Sequence, residues 1–488
     1  MSTSSDAPVA SGSIALDSIA LDPDRLFPAD PAVRAVAREL HALVEQLPIL
    51  SPHGHVAASM LLENQPFGDP AELLISPDHY VTRLIHSSGV SLADLGVGTA
   101  SGADSREVWR RFCAAWPLFD GTASGYWLRS EFVSVFGLDD SAISEQNADA
   151  LYDQLTGILA QESFRPRALL ESFNIEVLAT TDDPLDTLQA HAELAADPSF
   201  AGRVLPTFRP DAYINAHAAG FADRVERLVA EAGEGSVGYR GYLRALENRR
   251  RYFIEHGAVS ADHGVRTPLT LKLGEKEAES LFEAAIRGGL SAADRDAFEG
   301  HMIYQMARMC VEDGLTMTLH PGSFRNHHGP SFAQYGADTG HDIPFAIGYT
   351  EGLRQLLNDF GDAGAGTDNP FHLALFTLDE TVFSRELAPL AGFYPSVFIG
   401  APWWFLDAPD AMLRFRAAVT ETAGFSRSSG FVDDTRAFCS IPARHDASRR
   451  VEAAFLARLV TERRVTAERA AQIIVDLVDG APRRVFKL

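Results

Sequence analysis

The chain has 488 residues, of which 46% are hydrophobic, so it can bury a large core as one long domain or as two or three average ones. It carries 42 lysines and arginines against 66 aspartates and glutamates, a formal net charge of −24. This charge argues against binding to nucleic-acid phosphates. The three cysteines are widely spaced and odd in number, which disfavours a disulfide framework and a thiolate metal site. No uncharged run approaches the roughly eighteen residues that cross a membrane, so we expect a soluble, cytoplasmic protein without a membrane partner.

The first 25 residues are predicted to form a flexible tail. No lysine or arginine precedes Arg25, so the basic segment of a secretory signal is missing. Asp30 and Pro31 then have the pattern of a helix N-cap and a first helical residue, and apolar residues recur at helical spacing up to Leu47. This helix leads into an apolar run that we interpret as the first strand.

Seven further short apolar runs end in polar residues. They cover residues 175–181, 204–209, 258–263, 315–320, 373–378, 397–400 and 431–434. Helical patterns between most of them predict parallel strands; they cover residues 186–194, 275–286, 294–310, 347–360 and 411–422. Eight strands is the number in a (β/α)8 TIM-type barrel, and we predict this α/β fold as a single domain over residues 26–488. The long separation of the first two strands predicts a helical insertion at about residues 56–172, covering one side of the site.

Polar residues at the strand ends indicate a metal site. His53 and His55 follow the first strand, and on an extended backbone their imidazoles would point to the same side, close enough to share one cation. Asp434 ends the predicted eighth strand, which is next to the first in a closed barrel. These three ligands would leave a position open for water or substrate, so we predict one divalent metal, zinc. The alternative is that both histidines are turn residues hydrogen-bonded to the backbone.

Other strand ends carry candidate substrate contacts. His263 and His320 are candidates for a further metal ligand or a substrate contact, or for buried structural histidines. Arg209 and Arg436 suggest a small anionic substrate, because a guanidinium binds a carboxylate through two parallel hydrogen bonds. Arg209 could instead form a surface salt bridge. The Trp403-Trp404 pair could stack on a sugar, but packing in the wall is more usual.

A longer series of motifs runs along the chain. In order, they are Asp78-His79-Tyr80 with Arg83, Thr180-Thr181-Asp182-Asp183-Pro184, Leu205-Pro206 with Arg209-Pro210-Asp211, Ala261-Asp262-His263-Gly264, His320 with Gly322 and Arg325-Asn326, Trp403-Trp404-Phe405, Asp434-Thr435-Arg436 and Arg444-His445. In order and approximate spacing, this series resembles the uronate isomerase family, also called glucuronate isomerase, of the amidohydrolase superfamily. The resemblance covers nearly all of the chain from Leu26 onward.

The resemblance implies an aldose-ketose isomerase. Its members interconvert D-glucuronate with D-fructuronate and D-galacturonate with D-tagaturonate, without a redox or nucleotide cofactor. It implies that the metal ligands are His53, His55 and Asp434, and that the family's other site residues correspond to His79, Tyr80, Arg209 and Arg436. Many members have Asp-Tyr-His-Cys-His-Leu at the first strand, where this chain has Ser51-Pro52-His53-Gly54-His55-Val56. Both histidines are kept, so the departure concerns substrate preference more than reaction.

A superfamily feature is missing from this chain. Many hydrolases of the superfamily have a lysine near the end of strand four that bridges two metals after carboxylation. This chain has Asp262-His263-Gly264 there, so a single metal is expected.

We assign hypothetical roles to these residues from the steps that aldose-ketose isomerisation requires. A base must remove the C2 proton, the enediolate must be stabilised, and C1 must receive a proton. In our hypothesis Asp434 is the base, Tyr80 relays a proton between the C1 and C2 oxygens, and Arg436 with His79 stabilises the enediolate. The expected substrate-binding residues are Arg209, which would clamp the carboxylate, Arg436 and His320. A homo-oligomer is expected. The alternatives are a mononuclear metal-dependent hydrolase acting on a sugar-acid derivative and a non-catalytic sugar-acid sensor.

Overall fold

The computed structural model describes residues 22–98 and 102–488. Only residues 22–25 of the predicted tail are among them, so the rest of that prediction lies outside the described residues. The helix predicted after Asp30 is confirmed as α1, Pro31–Ala42. The Asp30 carboxylate accepts hydrogen bonds from the amides of Ala32 and Val33 at 2.8 and 3.1 Å. Within these two ranges, no helix is long and apolar enough to cross a bilayer.

The strands are short and most of them are buried. They are β1 Ile49–Ser51, β2 Ile175–Ala179, β3 Arg203–Leu205, β4 Ser260–His263, β5 Thr316–Leu319, β6 Ser323–Phe324, β7 Ile343–Pro344, β8 Leu373–Leu375 and β9 Val397–Ile399. Seven of the eight predicted strands are therefore confirmed in position, although most end earlier than predicted. The antiparallel pair β6 and β7 was not predicted.

The other seven strands are parallel and follow chain order. One sheet has the order β1-β2-β3 and a second has β4-β5-β8-β9. A parallel bridge from Phe208 to Ala261 joins the chain after β3 to β4, and another joins Ile399 in β9 to Ser428. Further on, the amide of His55 donates to the carbonyl of Thr435 at 3.0 Å, which brings the last predicted strand segment beside the chain after β1. This order confirms the α/β class and is consistent with a (β/α)8 barrel.

The eighth strand is the main correction to the sequence analysis. Residues 431–434 form no strand. Left-handed residues bound the segment, with φ of 78° at Gly430 and 41° at Asp434, so its backbone leaves the extended conformation at both ends. Glycine is needed at 430 for a second reason, because a Cβ there would lie 2.5 Å from Cδ of Pro482. The backbone at Gly430, where the segment begins, therefore lies directly against Pro482.

Helices fill the connections between the strands. After α1 they are α2 Ala58–Glu63, α3 Pro70–Leu74, α4 His79–Ser87, α5 Ser105–Ala115, α6 Ala123–Ser130, α7 Ala148–Leu159, α8 Pro166–Ser172, α9 Gln189–Ala196, α10 Asp211–Ile214, α11 Phe221–Ala232, α12 Gly238–Glu255, α13 Glu275–Ile286, α14 Ala292–Asp313, α15 Gly329–Tyr335, α16 Arg354–Phe360, α17 Ala388–Phe393, α18 Pro409–Ala423, α19 Ile441–Thr461, α20 Ala467–Val475 and α21 Ala481–Phe486. The helix predicted over residues 347–360 is confirmed only over 354–360. Residues 347–353 are not helical. The amide of Thr350 donates to Glu386 at 2.9 Å, a long-range contact that helical periodicity does not reveal.

Helices α2 to α8 occupy the chain between β1 and β2, where the insertion was predicted. Their buried aromatic residues, among them Trp109 and Phe132, belong to one apolar cluster with Ile49 of β1 and Ile175 of β2. The helices thus share a core with the first strands, and α4 is carried to the carboxyl ends of the strands. The division into a barrel and an insertion subdomain stays a prediction.

Candidate active site

A cavity of about 320 Å³ lies at the carboxyl ends of the parallel strands. Of the residues that the sequence singled out for metal or substrate, those lining it are His53, His55, His79, Tyr80, Arg209, His320, Trp403, Trp404, Asp434 and Arg436. They come from the ends of β1, β3, β5 and β9, from the first turn of α4 and from the segment after residue 430. The remaining candidate, His263, does not line the cavity. The parallel strands therefore bring together residues that are up to about four hundred positions apart in the chain.

The two histidines of the His-x-His motif meet on Asp434. Oδ1 of Asp434 lies 3.3 Å from Nε2 of His53 and 2.9 Å from Nε2 of His55. Both histidines lie beyond the end of β1, and Thr181 donates to the carbonyl of Gly54 between them at 2.8 Å, which holds the turn. Burial by itself would raise the pKa of Asp434, but the two histidines hold it well below its usual value. Two imidazole nitrogens and an ionised carboxylate oxygen, grouped within 4.8 Å, are a donor set that fits a divalent ion.

A second group shares His53. It consists of His53, Asp262 and His320, whose ligand atoms also lie within 4.8 Å of one another. Nδ1 of His320 donates to Oδ1 of Asp262 at 2.6 Å, and the imidazoles of His53 and His320 stack with their centroids 4.7 Å apart. This bond orients His320 and leaves its Nε2 without a hydrogen-bond partner among the described residues. A histidine held in this way by a carboxylate has the usual arrangement of a metal ligand.

Asp262, rather than its neighbour His263, faces the cavity. His263 is fully buried, and its Nδ1 donates to the carbonyl of Thr318 at 3.0 Å, so it has a structural contact instead. Strand register explains the difference. Asp262 is opposite Thr318, and His320 lies two residues after Thr318, so these three share one face of the sheet. Applying this alternation to the sequence would have selected Asp262, which the sequence analysis did not choose as a site residue.

Helix α4 presents a histidine and a tyrosine to the cavity. The Asp78 carboxylate caps the helix by accepting a hydrogen bond from the amide of Tyr80 at 2.8 Å. The Tyr80 hydroxyl is buried and has no hydrogen-bond partner among the described residues. Burial, together with the charge of Asp407, raises its pKa well above 10, so Tyr80 keeps its proton at neutral pH and can donate a hydrogen bond. Burial also lowers the pKa of His79, which favours the neutral imidazole.

The two predicted arginines differ in their partners. Nε of Arg209 lies 2.8 Å from Oδ2 of Asp211, and its Nη1 lies 3.4 Å from Oδ2 of Asp262. Nη2 of Arg436 lies 3.4 Å from Oδ2 of Asp338, a residue that the sequence analysis missed. Asp338 lies in the loop between α15 and β7, away from the carboxyl end of any parallel strand, and no local pattern indicates that it lines the cavity.

The lining residues give the cavity a negative formal charge. With neutral histidines the charge is −2, from five aspartates and three arginines: Asp78, Asp211, Asp262, Asp338, Asp434, Arg209, Arg325 and Arg436. An anionic ligand would be repelled by this net charge, and one divalent cation would cancel it. The charge balance therefore agrees with the donor geometry.

Comparison with known proteins places this chain in a family. A sequence model described as glucuronate isomerase matches residues 32–486, nearly the whole chain. The chain belongs to the glucuronate isomerase family. A uronate isomerase of Corynebacterium efficiens is 56% identical over 469 residues, which cover 96% of this chain and 99% of that protein.

Solved structures of glucuronate isomerase family members agree. The crystal structure of glucuronate isomerase from Caulobacter crescentus has a TM-score of 0.91 at 46% identity and covers 95% of this chain and 96% of its own. Uronate isomerase from Thermotoga maritima has a TM-score of 0.88 at 28% identity and covers 96% of this chain and 99% of its own. The resemblance inferred from the motifs and the predicted α/β class are both confirmed.

The tryptophan pair lies at the edge of the cavity in this family member. Trp403 is 3% exposed and packs edge-on against His320, with centroids 4.9 Å apart. Trp404 has a positive φ of 51°, and the guanidinium carbon of Arg325 lies 4.7 Å from its ring centroid. Both rings line the cavity, and a direct contact of either ring with substrate stays a prediction.

Proposed function

We propose that this protein interconverts D-glucuronate with D-fructuronate and D-galacturonate with D-tagaturonate. Membership of the glucuronate isomerase family over almost the whole chain carries this proposal. The cavity supports it independently, because it combines a buried carboxylate, a buried phenol and three arginines, the groups needed to move a proton beside a carbonyl in an anionic sugar.

Asp434 is proposed as the base that removes the C2 proton. Both histidines approach the same oxygen, Oδ1, so Oδ2 is the oxygen that would take the proton. Asp434 is ionised at neutral pH, as a general base must be, because the two histidines lower its pKa. A proton is then returned to C1, which converts the aldose into the ketose.

Tyr80, His79 and Arg436 are proposed to act on the oxygens of the enediolate. Tyr80 keeps its proton, and its hydroxyl has no hydrogen-bond partner in the part of the chain that the structure describes, so it is proposed to relay a proton between the C1 and C2 oxygens. A neutral His79 can donate one N–H bond, and Arg436 adds a positive charge that stabilises the developing anion.

Arg209 is proposed to bind the substrate carboxylate, and His320 to contact the substrate. Arg209 is fixed by Asp211 and Asp262, which hold the guanidinium at the cavity wall. A pre-oriented guanidinium loses little conformational freedom when it binds a carboxylate.

One divalent ion, zinc, is proposed to be held by His53, His55 and Asp434, with His320 as the further ligand or substrate contact. When bound, such an ion supplies a positive charge that orients the substrate oxygens. His320 is oriented by Asp262, and its free Nε2 is the atom available for either role.

The enzyme is also proposed to be a cytoplasmic homo-oligomer. Its three cysteines are buried and unpaired, as is usual in a reducing compartment. Light scattering of the purified protein would give the mass, and a monomer at micromolar concentration would contradict this part of the proposal.

Proton NMR in D₂O tests the reaction. The metal-replete protein is incubated with D-glucuronate and, separately, with D-galacturonate. We expect ketose signals and altered proton intensity at C1 or C2, with the relative rates ranking the two epimers. No conversion of either sugar, together with hydrolysis of a lactone or an acylated sugar acid, would contradict the isomerase and support a hydrolase.

A further inference from the structure

The loop at residues 336–340 packs closely on the helix that carries His79 and Tyr80. Gly336, Asp338 and Gly340 all have positive φ, of 83°, 60° and 88°. A Cβ on Gly340 would lie 2.7 Å from Cβ of Arg83 and 3.1 Å from the carbonyl oxygen of His79, so only glycine allows this approach. The loop therefore holds Asp338 in a specific place at the mouth of the cavity.

The Asp338 carboxylate bridges two arginines of the cavity. Its Oδ2 lies 3.4 Å from Nη2 of Arg436, and its Oδ1 lies 3.5 Å from Nη1 of Arg325. Arg325 has a closer partner in Asp342, at 2.8 Å. The arginines lower the pKa of Asp338 although burial opposes them, so the carboxylate is ionised. Its side chain is 49% exposed and that of Arg436 is 39% exposed.

We propose that Asp338 is an internal competitor of the substrate for Arg436, and so a residue that sets the affinity for uronates. This inference rests on the proposed function, with Arg436 in its expected role as a substrate-binding residue that contacts the anionic uronate before the enediolate forms. In the free enzyme the guanidinium of Arg436 pairs with Asp338. A bound uronate replaces Asp338 as the partner of Arg436. The ion pair is long and half-exposed, a type that contributes little stability, so it can exchange readily. The Asp338 carboxylate also lies at the entrance of the cavity, where its negative charge repels an anionic substrate.

The variant Asp338→Asn tests this inference. Asparagine tolerates a positive φ and has nearly the same shape, so only the charge is removed. Since exposed ion pairs contribute at most modest energies, we expect KM for D-glucuronate to fall by about two- to fivefold, with the effect in KM rather than in kcat. The difference from the parent enzyme should shrink in 1 M NaCl, where the screening length is only about 3 Å. An unchanged or higher KM, or a difference that is independent of salt, would overturn the proposal.

Asp342→Asn is the matched control. Asp342 belongs to the same loop region and pairs with Arg325 and with the amide of Asn326 at 2.7 Å, whereas Asp338 reaches Arg436. Removal of its charge should therefore not lower KM. An equal fall in KM for both variants would show a general charge effect and would contradict a specific competition at Arg436.

A binding experiment separates this inference from the proposed function. D-Glucarate carries carboxylates but no aldehyde, so it cannot be isomerised, and calorimetry measures its affinity without turnover. Asp338→Asn should bind it about two- to fivefold more tightly than the parent. If the parent shows no turnover, the proposed function fails. If the parent turns over but the variant binds D-glucarate no more tightly, only the role of Asp338 fails.

Discussion

The floor and the mouth of the cavity differ sharply in burial. The floor consists of His53, Asp262, His320 and Asp434, whose side chains are 1–3% exposed. The mouth consists of Arg325, Asp338 and Arg436, whose side chains are 36–49% exposed. Charges on the floor interact in a poorly screened environment, whereas those at the mouth are weakened by water and salt. We therefore expect substitutions on the floor to have the larger effects on activity, and loss of the exposed Asp338 charge at the mouth to have a smaller effect on substrate affinity.

The largest effect is expected at Asp434. Asp434→Asn removes both the proposed base and an anionic metal ligand, so kcat should fall by at least ~10³-fold. Exchange of the C2 proton with D₂O, followed by NMR, measures the step directly. Substantial turnover with continued exchange would eliminate Asp434 as the base. It would also contradict the expectation that the buried floor residues carry out the proton transfer.

Two buried histidines, one that lines the cavity and one that does not, test whether position at the cavity determines the effect of a substitution. His320→Asn should lower kcat/KM by about 10- to 100-fold, because His320 lies in the group with His53 and Asp262. His263→Asn is the control, since His263 is equally buried but outside the cavity, and asparagine can keep a hydrogen bond to the Thr318 carbonyl. Steady-state kinetics and the metal content of each purified variant are the measurements. Equal losses in both variants would mean that burial, and not position at the cavity, determines the effect.

Arg209 tests the proposed carboxylate contact on the wall between floor and mouth. Arg209→Met should raise KM for both uronates by about 10- to 100-fold with a smaller effect on kcat, because a charged hydrogen-bonding partner is lost. Arg209→Lys keeps the charge but not the planar fork, and should lie between the parent and the methionine variant. An unchanged KM in the methionine variant would remove the role of Arg209 in carboxylate binding.

A buried carboxyl group outside the cavity should affect stability alone. Burial raises the pKa of Glu131 from 4.5 to about 8. Between these pH values the folded protein holds a proton that the unfolded chain releases, so this contribution to stability is complete below pH 4.5 and is lost as pH rises through about 8. Glu131→Gln should therefore raise Tm by roughly a few degrees at pH 9 and leave it unchanged at pH 4, as measured by thermal denaturation. A lower Tm at pH 9 would show that Glu131 is stabilised as the anion.

The sequence predicted best what depends on local pattern. Apolar runs followed by polar residues identified seven strands and the cavity residues His53, His55, Arg209, His320, Asp434 and Arg436, because parallel strands bring their carboxyl ends together. His79 and Tyr80, which lie on a helix, came only from the resemblance to the family. Residues 431–434 were predicted as a strand, but Gly430 and Asp434 have left-handed φ values, and the close approach of Pro482 to Gly430 comes from a part of the chain that the local pattern does not show. Asp338 was missed because it reaches Arg436 from a loop, across a distance that no periodicity encodes.

The close contact of Gly430 with Pro482 has a consequence for recombining family members. Pro482 lies in α21, and a Cβ on Gly430 would come within 2.5 Å of its ring, only four residues before Asp434. The C-terminal helix α21 and the segment that carries the proposed base Asp434 therefore pack directly against each other, and each restricts the residues that the other can have at this contact. Chimeras with a crossover between these two positions should lose activity more often than chimeras that inherit both from one parent.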